Sequence, residues 1–269
     1  IECYTDLNDL KDTFIQFANS VPFYGKVCLC SDFENIKSII KKIDKPLTTY
    51  GIENSDADII AENILQKNGK TTFNVIIDDQ KFLVNLALPG RYNVYNALAA
   101  ISVCYTMGIK AEDVCNALSS FSGVKRRFDI KSKKNVMIVD DYAHHPVEVS
   151  NVISATKENW NKKLNVIFQP HLFSRTKKFY KDFADAMMKA DRVMITEIFG
   201  AREKKDISIS SQLIIDEMIK LKHPKVSFIP IDKVVDKVKS IATNEDIFLT
   251  IGAGNIWRCS EELGKYFND

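Results

Sequence analysis

The sequence predicts an α/β protein whose C-terminal part is a doubly wound, mainly parallel sheet. From residue 135 onward, short β-branched runs alternate five times with amphipathic stretches of helical period. Those runs are continuously apolar instead of alternating, which implies strands buried on both faces between layers of helices. Ahead of residue 123 the pattern changes to helices mixed with strands that include antiparallel parts, so a second α/β region precedes the first.

In chain order, Leu7 to Ala18 reads as a helix, KVCLC at 26–30 as a strand, and a short helix follows through Ile43. PLTTYGI, ADIIAENILQ, TTFNVIIDD and KFLVNLAL read as strands of one sheet. Arg91 to Thr106 then reads as an Ala- and Leu-rich helix, and Ala111 to Phe121 as another. FSGVKRRF at 121–128 sets Gly123 and a basic cluster between two organised regions, which places a boundary there and gives domains 1–122 and 123–269. Beyond it the strand–helix pairs are NVMIVDDY with 146–160, LNVIFQP with TKKFYKDFADAMMKA, and DRVMITEI with SSQLIIDEMIKLK. VSFIPI with DKVVDKVKSIA and DIFLTIGAG with a helix over 255–266 complete the set.

At 269 residues and 45% hydrophobic, the chain can bury at least one full core. Lys and Arg outnumber Asp and Glu by only two and are scattered, so composition argues for neither a nucleic-acid nor a membrane partner, and any anion site must be local. No apolar run reaches the roughly 18–20 residues that span a bilayer, and IECYTDLNDL lacks the regions of a signal peptide, so a cytoplasmic location is expected. Cys3, Cys28, Cys30, Cys104, Cys115 and Cys259 form no C-x-x-C pair and are expected to stay reduced. Ile1 in place of Met suggests sequence upstream. Oligomeric state is not readable from the sequence.

DDYAHHP at 140–146 is the richest segment, because it falls at the carboxyl end of a strand, the edge where open α/β sheets bind ligands. Asp140, Asp141, Tyr142, His144 and His145 bring carboxylates, a phenol and two imidazoles together there, and Pro146 suits a first helical turn. The blander assignment is helix capping and a surface histidine. A second strand ends in FQPHLFSRT at 168–176, so His171 and Arg175 should emerge on the same rim, where Arg175 offers a planar fork for phosphate or carboxylate. Lys125, Arg126 and Arg127 concentrate charge in the connector, where a triphosphate would meet it; a solvated basic linker is the alternative. In LPGRYNVYNALAA at 88–100, Asn93 and Asn96 share a helix face and could match the donor and acceptor edge of adenine, or one could cap the helix. NGKTT at 68–72 imitates the end of a phosphate-binding loop, but Ile64 stands where its first glycine belongs and the following residues are strand-like, so it is discounted. GAGN at 252–255 either faces the site or serves only as a tight turn.

In order and spacing, LPGRYNVYNALAAI, GVKRRF, DDYAHHPVEV, FQPHLFSRT, EIFGAREK at 197–204 and LTIGAGNI at 249–256 resemble the Mur ligase family over essentially the whole chain. DDYAHHP with FQPH and SRT is most similar to the branch that adds L-alanine to UDP-N-acetylmuramate in peptidoglycan synthesis. The resemblance implies part of an ATPase-type central domain followed by a Rossmann-like C-terminal domain, with ATP and Mg2+ as cofactors. It implies Asn93 and Asn96 at adenine, Arg126 or Arg127 at the phosphates and Asp141 at the nucleotide or its metal. Tyr142, His144, His145, His171 and Arg175 would surround the amino acid and the reacting carboxylate, with His144, His171 and Arg175 catalytic. Tyr92 departs from the family's usual His in PGRHN. The family's phosphate-binding loop would precede Ile1, so this chain alone is expected neither to hydrolyse ATP nor to form the amide. Three other readings stay open at this point. They are a murein tripeptide recycling ligase of the same family, a nucleotide-binding module without catalysis, and a metal-dependent hydrolase liganded by Asp140, Asp141, His144, His145 and His171.

Overall fold

The computed structural model describes residues 4–269, so Cys3 lies outside the described residues. The chain divides into two compact units, one running to Gln66 and resuming over Lys70–Phe121, the other comprising Lys67–Gly69 and Ser122–Asp269.

The first unit opens with α1 (Leu7–Asn19), whose N-cap Asp6 accepts from the N–H groups of Asn8 and Asp9. β1 (Val27–Cys30), α2 (Glu34–Ile40), β2 (Leu47–Gly51), β3 (Ile59–Lys67), β4 (Lys70–Ile77) and β5 (Gln80–Leu86) follow, then α3 (Arg91–Thr106) and α4 (Ala111–Ser120). The five strands lie in chain order in one sheet, parallel from β1 to β3 and antiparallel between β4 and β5. Along β4 every second residue is buried, and Phe73, Val75 and Ile77 pack with Val94, Leu98 and Ile101 of α3 and Val114 of α4. The turn of NGKTT is a hairpin connection with Asn68 at φ 53° and Gly69 at φ 76°, leading into β4, so no helix N-terminus is there to hold a phosphate. Gly90 at φ 95° lets the chain turn into α3.

The second unit contains β6 (Asp129–Ser132), β7 (Met137–Asp141), α5 (Pro146–Asn159), β8 (Lys163–Phe168), α6 (Phe173–Met187), β9 (Arg192–Ile195), α7 (Gln212–Lys220), β10 (Val226–Phe228), α8 (Val234–Ile241), β11 (Asp246–Ile251) and α9 (Trp257–Asn268). Its sheet order is β10-β9-β8-β11-β7-β6, parallel throughout except for β6 against β7. Every residue of β7 and β11 is buried. Ile138, Ile167 and Phe248 pack with Val234 and Val238 of α8 and Leu263 of α9, whereas Phe168, the next residue after Ile167, meets Phe183 of α6 with ring centroids 5.0 Å apart. Successive strand residues face opposite ways, so helices cover both faces of the sheet. β6 was not anticipated: it is short, polar, at the sheet edge and interrupted by a bulge between Ile130 and Ser132.

Cys28, Cys30, Cys104, Cys115 and Cys259 are free thiols. Among the described residues no helix is long and apolar enough to cross a membrane.

Candidate active site at the sheet edge

The two acids that end β7 are both internal. Asp140 is fully buried and accepts from Thr250 Oγ1 (2.7 Å) and Arg126 Nε (3.2 Å). Burial pushes its carboxyl above the ordinary range, against the pull of Thr250 and Arg126. Asp141 is 2% exposed, and its oxygens accept from the main-chain N–H groups of Phe128 (2.7 Å) and Ala143 (2.8 Å). Burial raises it to about 6 despite those bonds. Each Asp141 oxygen thus takes one backbone donor, which ties the 126–128 segment to the loop after β7.

Of the basic cluster, Lys125 and Arg127 are exposed and Arg126 points inward. Arg126 sits at φ 63°; its N–H donates to Asp129 Oδ2 (3.1 Å) and its carbonyl accepts from Tyr142 N–H (2.7 Å). The guanidinium bonds Asp140 and the Gly252 carbonyl (2.5 Å) and lies 4.8 Å from the centre of the Tyr142 ring. Arg127 lies 5.8 Å from the same ring.

From Tyr142 a line of rings crosses the carboxyl edge of the sheet. Tyr142 meets His144 edge-on at 5.3 Å, His144 meets His171 at 6.0 Å, and His171 stacks on Phe199 at 5.9 Å. The two imidazoles are held in opposite tautomers, assigned from their partners. His144 Nδ1 lies 3.1 Å from the Tyr142 carbonyl, which can only accept, so in the neutral ring the proton is on Nδ1 and the lone pair on Nε2. His171 Nδ1 lies 3.3 Å from Arg175 Nη1, which can only donate, so its lone pair is on Nδ1 and its proton on Nε2. His145 precedes α5 with its ring against Phe179 (5.2 Å), and burial holds it below its usual range, aided by the charges of Arg175 and His144. Glu148 accepts from the N–H groups of His144 (2.9 Å) and His145 (3.1 Å). Burial works to raise Glu148, yet those donors and the nearby charges keep it lowered.

Arg175 stands in the first turn of α6, after Leu172 at φ 71°. Left-handed backbone is strained for a branched side chain, and local strain of this kind concentrates at functional sites. Here it is held by Leu172 N–H to the Phe199 carbonyl (3.0 Å). Glu203 caps the helix from the 197–204 loop, accepting from Phe173 N–H (2.6 Å), Ser174 N–H (3.2 Å) and Ser174 Oγ. Glu148, Phe199, Glu203 and Gln169 have no role assigned from the sequence, where DDYAHHPVEV, EIFGAREK and FQPH carry all four only as parts of motifs.

In the first unit, Asn93 is 7% exposed, donates from Nδ2 to the Pro89 carbonyl (2.7 Å) and accepts at Oδ1 from Asn96 Nδ2 (3.2 Å). Only Asn96 of the pair is exposed. Tyr95 donates to Asp32 Oδ2 (2.8 Å), and Asp32 also accepts from the N–H groups of Ile52, Glu53 and Asn54, fixing the loop after β2 to α3.

Among the described residues no group of three or more His, Cys, Asp or Glu could hold a metal ion. The hydrolase alternative therefore lacks its ligand set: Asp140 and Asp141 are buried and engaged by internal donors, and the imidazoles neighbour a carbonyl, the Glu148 carboxylate, a guanidinium and other rings.

The sequence matches the Mur ligase middle domain over residues 1–104 and the Mur ligase glutamate ligase domain over residues 126–254. It is 37% identical over 264 residues to a UDP-N-acetylmuramate--L-alanine ligase of Clostridium kluyveri, covering 97% of this chain and 57% of that protein. The corresponding protein of Chlorobium phaeobacteroides is 38% identical over 272 residues, with 98% and 58% covered. The crystal structure of UDP-N-acetylmuramate-alanine ligase from Thermotoga maritima superposes with a TM-score of 0.77 at 26% identity, over 98% of this chain and 56% of that one. The chain thus spans a little over half the length of the relatives it matches. With two domain models of one family matched in succession and relatives aligned along nearly all of its length, the chain belongs to the Mur ligase family, from the middle domain into the C-terminal domain.

Proposed function

We propose that the chain is part of a cytoplasmic, ATP-dependent ligase that joins L-alanine to UDP-N-acetylmuramate in peptidoglycan precursor synthesis. The observation that carries this is the run Arg126, Tyr142, His144, His171 and Arg175 on one sheet edge, with one imidazole beside a carbonyl and the other beside a guanidinium. The UDP-N-acetylmuramate--L-alanine ligases of Clostridium kluyveri and Chlorobium phaeobacteroides to which the chain is similar point the same way.

A carboxylate is a poor electrophile at neutral pH. ATP, when bound, supplies the phosphoryl group that turns it into an acyl phosphate. Arg175 then takes the carboxylate of the incoming amino acid with its fork; the amine attacks the acyl carbon, His144 Nε2 accepts the proton it releases, and the C–N bond is completed as the C–O bond to the phosphoryl group breaks and inorganic phosphate leaves. His171, protonated on Nε2, donates toward the oxygen that gains charge. Arg126 and Arg127 lie at the phosphoryl group, and Asn96 reads adenine, supported from beneath by the buried Asn93. Asp141 acts as a brace. Asp140, Asp141 and Glu148 are engaged by internal donors, and with no cluster of three or more His, Cys, Asp or Glu among the described residues, these carboxylates do not by themselves fit a resident Mg2+.

The test is ATP-dependent ligation by the complete protein, offered a panel of amino acids and the murein tripeptide. Alanine should show the highest kcat/KM. Preferential use of the tripeptide would reassign the acceptor, and ATP binding without ADP release for any acceptor would leave a nucleotide-binding module. In the same assay Asn96→Ala should raise KM for ATP about tenfold, the effect of about one lost directional hydrogen-bond pair. An unchanged ATP dependence would remove Asn96 from the nucleotide.

A further inference from the structure

We infer that Gln169 is a positioning residue which, through the turn at 252–255, sets Arg126 and the Phe199–His171 pair together. Gln169 follows β8, is 3% exposed, and donates its main-chain N–H to the Ile251 carbonyl (2.9 Å). Its Nε2 donates to Asn255 Oδ1 (2.8 Å), and its Oε1 accepts from Ile256 N–H (3.0 Å), so one buried amide grips the far end of the turn by both polar atoms. The near end is fixed by Gly252, which donates to the Asp141 carbonyl (3.1 Å) and offers its own carbonyl to Arg126 Nη2 (2.5 Å).

Between these ends the turn has no slack. A Cβ on Gly254 would stand 2.3 Å from Gln169 Oε1 and 2.7 Å from the Phe199 ring, and one on Gly252, at φ 149°, would stand 2.6 Å from the Gln169 carbonyl. The glycines of GAGN are thus required by packing, and the turn is wedged between the Gln169 amide and Phe199, which in turn stacks on His171. Displacing the Gln169 amide moves the carbonyl that orients Arg126 on one side and the backing of Phe199 on the other. This geometric half is independent of the proposed ligation; the kinetic half rests on it.

Two readouts keep those halves apart. In the chain itself, NMR-detected exchange of the Arg126 Nε–H, slowed by its bond to Asp140, should become at least about tenfold faster in Gln169→Met, which keeps the length and loses both hydrogen bonds. Asn255→Ala, which removes only the Nε2 partner, should shift it in the same direction by less, and decides the matter if the Met variant does not fold. In the complete enzyme, Gln169→Met should raise KM for ATP and for alanine together, each about tenfold. A residue that serves stability alone would lower the active fraction, and hence kcat, with both KM values unmoved. Unchanged Arg126 exchange in the folded variants overturns the inference. Accelerated exchange with unmoved KM values overturns its kinetic half, and an enzyme that ligates nothing leaves the exchange result standing as the test.

Discussion

Arg126→Ala is expected to destabilise the C-terminal unit by about 3–5 kcal/mol, the usual penalty for leaving one member of a buried ion pair alone. Asp140 has no exposed surface and the Arg126 side chain is only 22% exposed, so the variant leaves a largely buried carboxylate without its guanidinium. The Gly252 carbonyl loses a donor in the same step. The defect should depend on pH with a definite sign. Burial already raises Asp140, and Arg126 opposes that rise, so its removal lifts the carboxyl further. The folded variant then holds a proton over a range in which the unfolded chain has released it. The contribution of this carboxyl to the variant's stability is therefore fully present below about pH 4, the unfolded value, and is lost as pH rises through the folded one. Urea unfolding of the chain at pH 5 and pH 7.5 measures this, and both tryptophans, Trp160 and Trp257, belong to this unit and report on it. The deficit should be larger at pH 7.5, and Asp140→Asn should restore part of it in the double variant. A loss below about 1 kcal/mol, as for an exposed pair, would mean that Arg126 does not hold the edge together.

That same pair shows where sequence reading stops. The strand–helix alternation after residue 135 made the parallel sheet legible, because continuous apolar runs have few other uses in a chain of this composition. The order in which strands lie is a different matter. β11, last in the chain, sits between β7 and β8, and this puts Gly252 beside Arg126. No local pattern encodes that insertion. DDYAHHP was legible as a chemical cluster, yet both of its acids turn inward, because their donors lie 110 and 13 residues away, Thr250 for Asp140 and Phe128 for Asp141. Asn93 and Asn96 share a helix face, as their spacing requires, but the Pro89 carbonyl draws Asn93 inward and leaves Asn96 outside. β6 escaped because DIKS has neither apolar continuity nor clean alternation and relies on β7 for its pairing.

Arg175→Ala is expected to raise KM for alanine by about 10- to 100-fold while KM for ATP changes by less than about threefold, in proportion to one charge-assisted hydrogen-bonded pair. Its place in the first turn of α6 makes the residue diagnostic. A cation there opposes the helix dipole, so removing it should leave stability unchanged or raise it by about 0.3–1 kcal/mol. Alanine use should therefore fall with no loss of stability, which a residue kept for packing would not show. The kcat should fall as well, because His171 Nδ1 loses the donor that keeps its proton on Nε2. Arg175→Lys retains the charge without the planar fork and should recover only part of the KM, while its single ammonium leaves the His171 tautomer poorly set and kcat low. Steady-state kinetics of the complete enzyme with alanine varied at saturating ATP, set beside thermal unfolding of each variant, measure both quantities. Alanine kinetics unaltered in Arg175→Ala would take Arg175 out of the acceptor site and leave the imidazoles at the sheet edge without the group that orients the amine toward them.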